Sequence, residues 1–187
     1  MLRIAVLIAA LAMAPTARGA GDATNLSWTH LEVAGGYQHT DAQVSGTLLQ
    51  ASVQLRLSDN YFASARHRQA SDARDRHDRT ALGVGARFAF ASMADLVVSG
   101  GAIHQRDRVA ASEHADYGAY VATGSRAMVT ASLELAGRLE YVEILGDGDA
   151  SLGADIAWQM LPVLSLVAGA QVSDDERSVH AGLRLTP

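Results

Sequence analysis

Residues 50–57 read QASVQLRL. Taken alternately, Ala51, Val53, Leu55 and Leu57 fall on one side and Gln50, Ser52, Gln54 and Arg56 on the other, which is the two-residue period of an extended strand. One face is apolar and the other polar. A sheet that covers a core and faces water gives this pattern, and so does a strand with lipid on one side and a polar lumen on the other. The rest of the chain has to discriminate between them.

The alternation returns at residues 81–90 (ALGVGARFAF), 133–141 (LELAGRLEY), 151–160 (SLGADIAWQM), 164–172 (LSLVAGAQV) and 178–185 (SVHAGLRL). Weaker segments at 28–39, 61–69, 96–105 and 116–126 fill the gaps. The expectation is ten strands, with eight as the count if the poorly alternating segments around Ala63 and Ser99 merge with their neighbours. The connections alternate in size. Short turns fall at 58–60, 91–95, 127–132 and 161–162, and more polar ones at 40–45, 70–79, 106–115, 145–149 and 173–176. Strands of roughly 9–11 residues suit a tilted bilayer crossing, and short turns on one side with longer loops on the other suit an outer-membrane barrel.

The polar face separates the two environments. In the six clear segments the apolar face carries no charge, and its hydrogen-bonding groups are the Tyr141 hydroxyl and the Trp158 indole N–H. The opposite face has no Leu, Ile, Met, Phe, Trp or Tyr, and a single valine, Val167. A soluble closed barrel needs large apolar residues inside, so a barrel made from these strands closes inside out. Glycines and alanines mixed with a few long charged side chains are what fills a narrow lumen. Five arginines, Arg56, Arg87, Arg126, Arg138 and Arg184, are expected there with Glu32, Glu134, Glu140 and Asp155 as partners, because a buried charge left unpaired is costly. Arg56, Arg87, Arg126 and Arg184 recur near the short-turn end of successive hairpins, with Gln159 at the corresponding place, which predicts a ring at one level.

All aromatic residues but Tyr120 fall near predicted strand ends. Trp28, Tyr61, Phe62, Phe88, Phe90 and Trp158 lie toward the short turns, and Tyr37, Tyr117 and Tyr141 toward the longer loops. Two girdles at the membrane boundaries would produce this distribution.

At the N-terminus, a basic start with Arg3 is followed by an apolar run over residues 4–14, too short for a membrane helix, which reads as a secretory signal peptide over residues 1–19. Residues 20–187 are then one barrel domain, exported to the cell outer membrane. The whole chain has a net charge of −5, and two of its 15 basic residues lie in the leader, so the remainder is more acidic and nucleic acid is not an expected partner. Every basic residue is arginine, which suits fixed bidentate pairing, and there is no cysteine to form a disulfide or thiolate site.

Residues 118–134, GAYVATGSRAMVTASLE, carry Gly118, Val121, Gly124, Arg126, Thr130, Leu133 and Glu134 in a pattern that resembles a family of small outer-membrane barrels from plant-associated proteobacteria. That family is described as activators of plant innate immunity or as diffusible-signal-related surface proteins. Further echoes are residues 33–37 with Gly35 and Gly36, the pair Gly83 and Gly85, Pro162, and the closing residues 182–185 (GLRL). The resemblance implies export, outer-membrane insertion and vesicle or biofilm association, without implying an enzyme. Barrels of this class usually finish on an aromatic residue, whereas this chain ends Leu185-Thr186-Pro187.

The leading expectation is a non-enzymatic outer-membrane barrel with a structural or cell-surface role and a lumen plugged by ion pairs. It would act as a monomer, without cofactor, metal or catalytic residues, in contact with outer-membrane lipids, lipopolysaccharide and the outer-membrane assembly machinery. The alternatives are a narrow porin-like channel, a soluble secreted β-protein that binds a ligand, and a surface hydrolase built on His39, His67 and His104 with His77 and His114 in adjacent loops. The stretch DARDRHDR at 72–79 reads as a solvated loop or as a contact for lipopolysaccharide phosphates through Arg74, Arg76 and Arg79. Residues 146–149, GDGD, lack the further ligands of a calcium loop and read as a hairpin turn.

Overall fold

In a computed structural model, which describes residues 26–40, 46–72, 75–109 and 112–187, ten antiparallel strands close into one barrel. They are β1 (His30–Thr40), β2 (Gly46–Arg56), β3 (Tyr61–Ser71), β4 (Arg76–Ala91), β5 (Ala94–Val109), β6 (Ser112–Thr130), β7 (Leu133–Ile144), β8 (Asp147–Leu161), β9 (Leu164–Ser173) and β10 (Glu176–Leu185). Each strand pairs with the next in sequence, and β1 closes against β10 from Leu31↔Leu185 to Thr40↔Glu176. The signal peptide at 1–19, the segment 41–45 and Arg74 lie outside the described residues.

The alternation sorts inside from outside as expected, with the fold turned inside out. Leu82, Val84, Leu152 and Val179 are each 58–63% exposed on the outer wall. In water so wide an apolar surface would drive aggregation, whereas hydrocarbon covers it without cost. The fold is a transmembrane barrel with a lipid-facing apolar exterior and a largely polar interior. The two weak segments are genuine strands. β3 turns Ala63, Ala65 and His67 outward and Phe62, Arg66 and Arg68 inward, so its outer face is too small and polar to show a hydrophobic period.

The connections are shorter than the sequence suggests. Residues 76–79, 106–109 and 112–115, expected in loops, belong to β4, β5 and β6, which are 16, 16 and 19 residues long. These strands run on past the apolar band, where both faces are wet and no alternation is required. Cross-strand contacts hold them there: Arg108 donates to Glu113 at 2.9 Å, and His77 meets Asp107 inside. The GDGD stretch contributes only Gly146 to its turn. Leu145 and Gly146, at φ 52° and 87°, form a two-residue hairpin turn whose twist matches the flanking strands.

The repeat at the short-turn end has a backbone counterpart. Arg87 N donates to Asn60 O at 2.9 Å, Met128 N to Met93 O at 2.8 Å, Gln159 N to Ser132 O at 2.8 Å and Thr186 N to Val163 O at 2.9 Å, so each hairpin is laced to the turn before it. Register shifts at Ala89/Ala91, Met128/Thr130 and Gln159/Leu161 precede three of these turns. Such bulges bend and end a strand at a barrel rim.

The inside-out sorting has a direct test. Val84 lies midway along the membrane-facing part of β4, and Val84→Arg is expected to cost about 2–4 kcal/mol of stability in lipid vesicles, measured by denaturant unfolding, because a guanidinium at the bilayer midplane loses its hydration.

Candidate functional site: the barrel lumen

The short-turn end of the lumen is closed by the segment just before β1. Leu26 and Trp28 are 5% and 4% exposed. The Trp28 indole donates from Nε1 to Asp95 Oδ2 at 3.0 Å. The guanidinium carbons of Arg126 and Arg87 stand 4.6 and 5.6 Å from its ring centre, and the Phe62 ring lies 5.4 Å away. Arg126 also donates to Ser27 O at 3.2 Å. Two cations over an indole in a dry site are a strong arrangement, and the shared Asp95, fully buried, also takes Arg87 at 3.4 Å.

Glu134 joins this floor to the wall. Its two oxygens accept from Arg126 Nε and Nη2, each at 2.9 Å, and Oε1 also accepts from Arg184 Nη1 at 3.1 Å. Arg184 Nε reaches Glu32 at 3.0 Å. The chain of charges thus runs from β5 through β6, β7 and β10 to β1, and it spans the barrel.

Above the floor lies a cavity of about 190 Å³, bordered by His30, Gln50, Gln54, Ser64, Ser99 and Tyr120 among others. A second layer of charged side chains borders it on the loop side. Arg66 Nη2 lies 2.7 Å from both oxygens of Glu140, Arg138 meets the same carboxylate, and Arg138 lies 5.9 Å from the Tyr120 ring. Beside it Asp155 pairs with His180 at 3.2 Å. Glycines make room for the large side chains. A Cβ on Gly83 would sit 2.1 Å from the Tyr120 hydroxyl, and one on Gly85 would sit 2.3 Å from the Phe62 ring.

A third layer lies toward the loops. Arg68 donates to Gln38 Oε1 at 3.0 Å, Ser178 Oγ at 2.9 Å and Gln171 Oε1 at 3.1 Å, and it pairs with Glu176. Next to it Ala81, Ile103, Tyr120, Ala122 and Val142 form a small apolar cluster, and Leu48 is 1% exposed.

The arginines expected at one level divide. Arg87, Arg126 and Arg184 gather at the floor, and Arg138, expected in the lumen but not in that ring, belongs to the second layer. Arg56 lies apart at the mouth, its side chain 42% exposed, paired with Asp59 of its own turn. Gln159 donates to Pro162 O at 3.0 Å. Glu32, Glu134 and Glu140 meet arginines, while Asp155 meets His180.

Two of the expected girdle aromatics are lumenal instead. Trp28 lies just ahead of β1, which starts at His30 rather than at the expected residue 28, but it keeps the parity of Glu32, and its polar indole edge finds Asp95 within. Phe62 pairs across the sheet with Arg56 and Gly85, both lumen-facing. Tyr61 and Phe62 are adjacent and cannot share a face, and that was the available signal. Tyr37, Tyr61, Phe90, Tyr117 and Trp158 are 53–74% exposed on the outer wall, where Phe88 and Tyr141 share their face.

Arg66, Arg68, Asp95 and His180 were missed. Arg66 and Arg68 sit on the strand with the weakest period, and Asp95 falls in a stretch read as a turn. Of the loop-side histidines, His67 meets Thr80 at 3.0 Å and His104 stacks on Tyr117 with centres 4.8 Å apart, both on the outer wall. Among the described residues no group of three or more His, Asp or Glu is arranged to hold a metal ion.

Glu134 carries two arginines that are each 11% exposed. Glu134→Gln is therefore expected to destabilise the barrel by about 3–5 kcal/mol in denaturant unfolding, since it leaves buried guanidinium charge uncompensated.

No protein-family model and no curated protein matches this chain. Solved structures do. The NanC porin aligns over 84% of this chain and 100% of its own at 11% identity, with a TM-score of 0.57. The KdgM porin aligns over 83% of this chain and 99% of its own at 10% identity and a TM-score of 0.49. The N-terminal barrel domain of Pseudomonas aeruginosa OprF aligns over 86% and 98% at 14% identity, also with a TM-score of 0.49. At these identities the likeness concerns architecture, and the architecture this chain shares with the NanC porin is a small transmembrane β-barrel.

Proposed function

We propose that this protein is a small, non-enzymatic barrel of the outer membrane with a closed lumen and a structural or cell-surface role. The observation that supports this reading is the pairing of lumenal charges at two separate levels. Trp28, held by Asp95, Arg87 and Arg126, fills the short-turn end, and the Arg66–Glu140–Arg138 layer crosses the barrel above it. Paired charges in a narrow lumen stabilise the wall that carries them and, in this reading, obstruct a water path.

In this reading the protein is a monomer exported by its signal peptide and inserted by the outer-membrane assembly machinery. Both termini face the periplasm, the β4–β6 extensions face outward, and the belt contacts outer-membrane lipids and lipopolysaccharide. A surface role of the kind implied by the resemblance to barrels of plant-associated proteobacteria fits this placement. The outward histidines support a non-enzymatic role, because His67 and His104 engage Thr80 and Tyr117 rather than a carboxylate.

One feature favours a narrow channel as the second reading. The floor is made by residues 26–29, ahead of β1, rather than by the barrel wall, and their withdrawal would open the cavity toward the periplasm. Planar-bilayer recording separates the two. The wild-type barrel is expected to show no stepwise conductance, and Trp28→Ala is expected to stay silent because the second layer persists. Discrete openings in the wild type, abolished by Arg87→Ala or Arg126→Ala, would establish the channel instead.

A further inference from the structure

Of the described arginines, all but one meet a carboxylate or amide oxygen of the protein. The exception is Arg177, which is exposed on the outward face of β10 and has no such partner among the described residues. In a chain that pairs its guanidinium groups so consistently, an unpartnered one on the membrane-facing wall marks a place where the partner comes from outside.

Its surroundings indicate what that partner is. Arg177 and His39 are cross-strand neighbours at the loop-side end of an open groove of about 470 Å³ on the outer wall. Ala154 and Ala170, paired across β8 and β9, form its floor, while Leu152, Val172, Val179 and Tyr37 rise around it. Arg177 lies two residues beyond the Val179↔Tyr37 pair, hence roughly 7 Å past the tyrosine belt, at headgroup depth. A lined hydrocarbon slot that ends in a bare cation at that depth complements a lipid with an acyl chain and a phosphate. A guanidinium presents parallel N–H donors matched to phosphate oxygens.

We infer that this groove is a binding site for lipid A, the phosphorylated glycolipid of the outer leaflet, with one acyl chain along Ala154 and Ala170 and a headgroup phosphate on Arg177. The inference rests on the outer-membrane reading above, which puts the loop-side end in the leaflet where that lipid resides. It adds a defined site, on β8, β9, β10 and β1, to a general contact with the membrane.

The test uses the full barrel folded in phosphatidylcholine nanodiscs, with lipid A retention measured by native mass spectrometry and titration. One lipid A per barrel is expected for the wild type. Arg177→Gln, and Ala170→Leu, which fills the groove, are each expected to weaken retention about tenfold or more, the scale of one lost charge-assisted contact. Arg106→Gln, on the same outer wall but already paired with Glu113 at 3.3 Å, is expected to leave retention unchanged. Dephosphorylated lipid A should bind the wild type as weakly as lipid A binds Arg177→Gln. Equal retention by Arg177→Gln and wild type overturns the site, as does equal binding of the phosphate-free lipid or of phosphatidylglycerol. A barrel that inserts and shows heat-modifiable migration but does not discriminate these lipids removes this site alone. A chain that inserts into no bilayer removes the outer-membrane reading as well.

Discussion

The structure depends on one requirement: a charge withdrawn into the narrow lumen of a barrel must meet its opposite there. Glu134 shows how tightly it is met, with one carboxylate taking Arg126 through both oxygens and Arg184 through one. Glu140 does the same for Arg66 and Arg138 one layer up. Each of these acids is on β7, whose inner face presents Glu134, Arg138 and Glu140, so a single strand anchors two levels of lumenal ion pairs. The outer wall follows from the same condition. With polar side chains used inside, the apolar ones have hydrocarbon as their only favourable surroundings.

Register ties the two walls together. Because side chains alternate, a slip of one residue would carry Arg138 and Glu140 into lipid and Leu135 and Leu139 into the lumen, so the ion pairs and the bilayer select the same pairing. The laced carbonyls at the short-turn end and the bulges before three turns fix where each hairpin stops. The loop-side end is looser by design of the sequence, since β4, β5 and β6 continue beyond the lipid on ion pairs rather than on an apolar face.

Trp28 gives the lumen its second character. It belongs to no strand, yet it brings together Arg87, Arg126, Asp95 and Phe62 from β3, β4, β5 and β6. The floor is therefore a side chain inserted from the chain's own approach to the barrel, separated from the upper layers by a polar cavity. On the outer surface Arg177 stands as the counterexample to internal pairing, at the end of a hollowed, apolar stretch of the wall.

How much of this was legible depends on whether a residue's surroundings are set by strand parity. Leu55, Leu135 and Ile156 could be placed outside, and Arg126, Glu134, Glu140 and Arg184 inside, because the two-residue period gives each position one of two environments, and lipid tolerates only one kind of side chain. An inside-out meander with a polar interior follows from the same period, whereas the choice of ten strands over eight needed the pairing of β3 and β5 in the closed barrel. Only the tertiary structure could decide which charges meet, since partners come from strands distant in sequence and the stagger of the barrel sets their heights. That is why Arg56 left the expected ring for Asp59, and why Arg66 and Arg68, on a strand whose outer alanines hide the period, prove to belong to the lumenal ion pairs. It also decided the surroundings of Trp28, which shares the parity of His30 and Glu32 but lies ahead of the first strand. An indole ahead of the first strand is free to face lipid or lumen, and two cations with a buried carboxylate drew it inward.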